Sequence, residues 1–151
     1  MGMNLRGHYK QFDQDKYNKN DARAKNFGLK ILNHDGAEPL WYENPDKYGP
    51  DLTDGFEFVE VEMKWEWTGP YFNFDTLHLP ERKKKWRHLP IEYWIINREL
   101  SCAAIIDASE VKDEYLKEVR NRRFPNGGEY FFKIPVANCR WVRIEVEDNA
   151  S

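Results

Sequence analysis

The residues best suited to chemistry lie together in "GPDLTDGFEFVEVEMKWEW", residues 49–67. The second half of this stretch alternates apolar and polar residues. That is the pattern of a strand whose successive side chains point to opposite faces. Val59, Val61, Met63 and Trp65 then share one face, and Phe56, Phe58, Glu60, Glu62, Lys64 and Glu66 share the other. Glu62 and Lys64 stand about 6.6 Å apart along such a strand, which leaves room for a metal-bound phosphate and an attacking water. Asp51 precedes the strand on a loop long enough to return its carboxylate beside Glu62. Paired carboxylates suit Mg²⁺, a hard cation that prefers oxygen ligands and keeps several waters. The ion neutralises developing charge and acidifies a bound water. A lysine nearby orients that water or stabilises a pentavalent transition state. The chemistry such a set suits is hydrolysis of a phosphodiester.

The same residues also suit a solvated sheet face with cross-strand ion pairs. Glu-x-Lys occurs at Glu62–Lys64, Glu81–Lys83 and Glu110–Lys112, and Pro-Asp at both Asp46 and Asp51. Neither is selective alone. The rarer feature is their combination, a Pro-Asp loop followed by an apolar strand ending in Glu-x-Lys. Asp46 is the alternative acid if the earlier Pro-Asp pair is the relevant one. Asp54 precedes Gly55 and reads as a turn residue. Glu60 shares the face of Glu62, either as an additional acid near the site or as a structural ion-pair partner.

The elements that must hold these residues follow from periodicity and punctuation. Residues 13–28 read as a polar helix stopped by Gly28. Leu29–Leu32 and Pro39–Glu43 read as short strands around a turn. Strands are expected at "FEFVEVEMKWEW", "YFNFDTLHL", "EYWIIN", "CAAIID", "EYFFKIP" and "CRWVRIEVE". "PERKKKWRHL" reads as a helix opened by Pro80 and closed before Pro90. A capping box at Asp107 and Glu110 predicts a helix to about Arg123, with Val111, Tyr115, Leu116 and Val119 on one face. The result is an α/β fold, one domain with a central mixed β-sheet flanked by helices. Residues 1–10 read as a flexible N-terminus and 11–151 as the single domain.

The chain has 151 residues, 40% of them apolar and 15% aromatic, enough for one sizeable core. No apolar run approaches the ~20 residues that span a bilayer, and the first residues lack the apolar stretch of a signal peptide. The two cysteines, Cys102 and Cys139, stand apart in apolar segments. They read as reduced buried thiols of a cytoplasmic protein rather than a disulfide framework or zinc site. The four histidines lack metal-ligand spacing. A net charge of -3 argues against a bulk nucleic-acid coat but leaves local patches open. Arg82, Lys83, Lys84, Lys85 and Arg87 form one such patch, suited to backbone phosphates, with Trp86 anchoring its inner side. Arg120, Arg122 and Arg123 form a second. Trp65 and Trp94 read as core and Trp67 as an exposed position.

Pro50-Asp51 followed by Glu62-Met63-Lys64 resembles the motif of the PD-(D/E)XK nuclease superfamily. The resemblance extends as a pattern over residues 20–135, through the preceding helix, the motif strand, the basic segment and the apolar strands after it. It implies a restriction-endonuclease-like or Holliday-junction-resolvase-like core. It further implies Asp51 and Glu62 as metal ligands, with the Met63 carbonyl as a third. Lys64 would serve the attacking water. Asp21 would be the additional acid on the first helix. The implied activity is Mg²⁺-dependent endonucleolytic cleavage of DNA, with Mn²⁺ as a substitute, leaving 5′-phosphate ends. A domain this small favours structure-selective or weakly sequence-specific cutting, of the phage or resolvase type. Cutting both strands would call for a homodimer. The alternative implied by the same resemblance is an inactive relative that binds DNA or a protein partner.

Overall fold

The computed structural model describes residues 19–119 and 128–144. They form a mixed α/β domain with few helices. A six-stranded sheet has the order β1 (Tyr42–Glu43), β2 (Leu52–Thr53), β3 (Phe58–Lys64), β5 (Ile91–Asn97), β6 (Cys102–Asp107) and β9 (Arg140–Arg143). β3 and β5 run parallel, and the other neighbours are antiparallel. A second sheet contains β4 (Thr76–Pro80), β8 (Glu129–Pro135) and β7 (Leu116–Val119), all antiparallel. The crossover between parallel strands β3 and β5 includes β4 and the 3₁₀ segment Glu81–Trp86.

The large sheet is covered on both faces, which explains the near-continuous burial of β5 and β6. One face packs against helix α1 (residues 19–32), through Ala24 and Phe27 on Leu52, Val59, Val61, Trp94, Ile96, Ala103 and Ile105. The other packs Ile91, Tyr93, Ile95, Ala104 and Ile106 against Leu77, Leu79, Phe132 and Ile134 of the small sheet. Alternation along β5 thus sends odd residues to one core and even residues to the other.

Several expectations need correction. α1 continues through Gly28, so Leu29–Leu32 are helical rather than a strand. Gly28 does not stop the helix. A Cβ there would lie 2.9 Å from Leu52 Cδ1 and 3.3 Å from Val61 Cγ1, so the missing side chain is what lets α1 approach the sheet. The expected helix after Asp107 is also absent. The Asp107 side chain makes no cap hydrogen bond, and the chain forms two 3₁₀ turns, Ala108–Glu110 and Asp113–Tyr115. Leu116–Val119 instead pairs with β8, so strand pairing overrides the helical pattern. The segment after Pro80 is a short 3₁₀ helix rather than a longer α-helix. The N-terminal half of "YFNFDTLHL" lies outside β4, and β3 stops at Lys64. Helical flanking is sparse, because a second sheet takes the place of helices on one face. The start of the predicted first helix and the Arg120, Arg122 and Arg123 cluster lie outside the described residues.

The tryptophans are partly redistributed. Trp94 is core, but Trp65 is 40% exposed and stacked under the Arg98 guanidinium, whereas Trp67 is 1% exposed. β3 ends at Lys64, so strand alternation no longer governs residues 65 and 67. Trp67 packs edge-on against Phe72 and Trp141. Cys102 and Cys139 are unpaired, the first buried and the second half-buried. No helix among the described residues is long and apolar enough to cross a membrane.

Candidate functional site

The charged face of β3 looks toward the small-sheet side, where the 3₁₀ segment Glu81–Trp86 caps it. Phe58, on that same face, packs at the edge of the apolar core. Beyond it Glu60 and Glu62 meet the buried ammonium of Lys83. Lys83 Nζ is 3.2 Å from Glu60 Oε2 and 3.4 Å from Glu62 Oε2. The side chains of Lys83, Glu60 and Glu62 are 7%, 9% and 33% exposed. Glu62 Oε2 itself is buried and has no hydrogen-bond partner among the described residues.

Asp51 returns to this strand. Its backbone N–H donates to Glu60 Oε1 at 3.0 Å, and its Oδ2 accepts the Val61 N–H at 3.0 Å. The carboxylate therefore continues the β2–β3 ladder one step past Leu52, which pairs with Val59. Asp46 does something different. It accepts the Tyr48 N–H through Oδ1 and shapes the loop before β2. Asp54 likewise caps a turn, accepting from Phe56 and Glu57, and these backbone donors hold its carboxyl below the ordinary range.

A second lysine joins α1 to the same edge. Lys25 Nζ lies 3.2 Å from both Asp21 and Glu43 and 3.8 Å from Asp51. Asp21 and Lys25 are one helical turn apart, the spacing that places side chains over one another. Burial disfavours the Lys25 ammonium, but Glu43 and Asp21 outweigh it and raise its pKa. A surface cleft of about 310 Å³ lies here, lined by Asp21, Ala22, Lys25, Asn26 and Glu43. The cluster thus alternates acid and base from α1 to the 3₁₀ segment, with carboxyls outnumbering ammonium groups.

The electrostatics follow from this crowding. Burial pushes the Glu60 carboxyl up to about 8; Lys83 opposes the shift and Asp51 adds to it. Burial also works against the Lys83 ammonium, but Glu62 and then Glu60 more than offset it and raise its pKa. Tyr93, directly beside Glu60 in the parallel register, donates its hydroxyl to the Lys83 carbonyl at 2.6 Å. That bond fixes the backbone from which Lys83 reaches the carboxylates. Burial and then the Glu60 charge raise the pKa of the Tyr93 hydroxyl.

Lys64 sits apart from this pair. Its ammonium is 3.9 Å from Glu66 and 5.1 Å from the centre of the Phe74 ring. Met63 pairs with Ile96 of β5. Within the basic patch, Arg82, Lys84 and Lys85 are exposed, Lys83 is buried, and Arg87 bonds Asp113 and the Val111 carbonyl. Lys84 pairs with Glu81 at 3.6 Å, and Lys85 lies over the Trp86 ring.

Lys25, Glu43 and Tyr93 are the residues that sequence reasoning left out of the site, whereas Lys83, expected in the phosphate-binding patch, is buried against Glu60 and Glu62 instead. For Lys83 a signal was present. Side chains at i and i+3 of a 3₁₀ helix eclipse one another, so the inward Trp86 also implies an inward Lys83. Among the described residues, no three His, Cys, Asp or Glu side chains form a ready cage for a metal ion. No family model, curated protein or solved structure matches this chain.

Proposed function

We propose that this domain is a divalent-cation-dependent phosphodiester hydrolase acting on DNA, built on a restriction-endonuclease-like core. The observation that carries the reading is the return of Asp51 to the motif strand, where it accepts the Val61 N–H next to Glu62. The donor chemistry fits Mg²⁺ or Mn²⁺. Asp51 and Glu62 offer hard carboxylate oxygens, and Glu62 Oε2 is buried without a hydrogen-bond partner among the described residues. Mg²⁺ needs only one or two carboxylates, with waters completing its shell. When bound, the ion supplies charge neutralisation and an acidified water.

The chain's own groups then divide the remaining work. Asp51 and Glu62 hold the cation, and the Met63 carbonyl is the third donor the motif implies. Asp51 is oriented by the Val61 N–H, and Glu60 by the Asp51 N–H. Lys64 is the motif lysine for the attacking water. Asp21 acts at a distance, through Lys25. Arg82, Lys84 and Lys85 present exposed cations for the backbone of the nucleic acid. The charge compensation supplied by Lys83 favours a second reading, a non-catalytic nucleic-acid-binding module.

Plasmid and branched DNA incubated with Mg²⁺ or Mn²⁺, and then with EDTA, test the proposal. Metal-dependent nicking that is lost in Asp51→Ala, Glu62→Ala and Lys64→Ala supports it. DNA binding without cutting in either metal favours the module. A protein that neither binds nor cuts DNA contradicts both.

A further inference from the structure

Lys83 stands out from the exposed cations around it. Its ammonium lies between Glu60 and Glu62 and is shielded from water, while Arg82 and Lys84 on either side are exposed. A buried ammonium is tolerated only where carboxylates compensate it. Its stem is anchored at one end alone. The Tyr93 hydroxyl holds the Lys83 carbonyl, and among the described residues only carboxylate oxygens hold Nζ. The lysine stem is a flexible four-carbon chain, so its head can shift relative to the carboxylates while the Tyr93 bond keeps the backbone in place. Lys64 does not share the task, since it pairs with Glu66 and Phe74 instead. Glu62 Oε2 lies within ion-pair range of Nζ without accepting a hydrogen bond among the described residues.

We infer that Lys83 is the internal counter-ion of the carboxylate cluster: its ammonium sits against Glu62, one of the two carboxylates proposed above to hold the divalent cation, and so competes with that cation. The inference rests on the cation-binding reading above. Lys83 is a positioning residue in this account. It keeps Glu60 and Glu62 together in the metal-free protein and sets the affinity at which a dication displaces it. A structural role alone predicts that neutralising Lys83 weakens the site. Competition predicts the opposite.

Calorimetric titration of Mn²⁺ into the wild type, Lys83→Gln and Lys83→Arg separates the two. Lys83→Gln is expected to bind Mn²⁺ at least about tenfold more tightly than the wild type, because a competing charge within a few ångströms is gone. Lys83→Arg retains the charge and is expected to bind no more tightly than the wild type. A parallel measurement needs no variant: acylation of lysines in the wild type, read by mass spectrometry. Lys83 is expected to react slowly without metal and faster at saturating Mn²⁺. If the wild type binds Mn²⁺ but Lys83→Gln binds no more tightly, the counter-ion role is overturned and the cation site stands. If Lys83→Gln does not fold, unchanged Lys83 protection at saturating Mn²⁺ overturns the role. If none of the proteins binds Mn²⁺, the cation reading falls and the counter-ion role with it.

Discussion

The two faces of β3 share one backbone and follow opposite rules. Toward α1, Val59 and Val61 are closed over by a helix brought so near that a Cβ at residue 28 would press on Leu52 and Val61. Toward the 3₁₀ segment, Glu60 and Glu62 are closed over by a lysine. The first face is organised by volume, the second by charge. Apolar packing is favourable whenever water is excluded. A buried ion cluster is costly unless each charge is answered. The contrast locates the part of the molecule that carries more than stability.

The sharpest way to break the comparison is to remove the answering charge. Lys83→Met, without added metal and at pH 9, above the raised Glu60 value, is expected to lower stability by about 3–5 kcal/mol, the usual cost of stranding a buried carboxylate. Urea unfolding measures it. A loss below about 1 kcal/mol would place this face among ordinary solvated ion pairs.

The pH dependence gives the next effect. The Glu60 carboxyl ordinarily titrates at 4.5 and is raised to about 8 in the fold. Between those values the folded state holds a proton that the unfolded chain has released, so the stability this group contributes falls as pH rises through that window. Glu60→Gln is expected to flatten the fall when unfolding midpoints are compared from pH 5 to pH 8. A slope unchanged in the variant would assign it elsewhere.

On the apolar face, Gly28→Ala is expected to destabilise by up to about 2 kcal/mol. Overpacking against Leu52 and Val61 costs about 1–3 kcal/mol, less up to about 1 kcal/mol regained from helix propensity. Thermal unfolding of this variant checks it, and a stabilised protein would show that α1 yields easily. The smallest effect is expected from Tyr93→Phe. It removes one hydrogen bond to the Lys83 carbonyl, worth about 0.5–1.5 kcal/mol. Its diagnostic readout is faster acylation of Lys83 in the metal-free protein.

Much of the sheet was legible because β-branched and aromatic runs kept a period of two. β8 matches "EYFFKIP" residue for residue, and β5 and β6 fall on "EYWIIN" and "CAAIID" to within one position. Leu29–Leu32 misled because three apolar residues around a single lysine fit a strand or the end of a helix. The deciding pattern was Ala24, Phe27, Gly28 and Ile31, spaced as one helical face that continues across the glycine. Leu116–Val119 misled for a different reason: Val111, Tyr115, Leu116 and Val119 keep helical spacing, and antiparallel pairing with the next strand, β8, outweighs it. At the site, the Asp51 and Glu62 pattern was visible because it lies within one short segment. Lys83 was hidden in a run of like charges, and Lys25 draws its meaning from Glu43 and Asp51, which only the folded sheet edge brings to it.

The central claim is that this one charged edge of β3 binds a divalent cation. Paramagnetic broadening of backbone amide signals by substoichiometric Mn²⁺ tests it without reference to activity. The account predicts that the amides of Asp51, Glu60 to Lys64 and Lys83 broaden first, and that Glu62→Gln removes the effect. Broadening that begins elsewhere and leaves these amides sharp would contradict it.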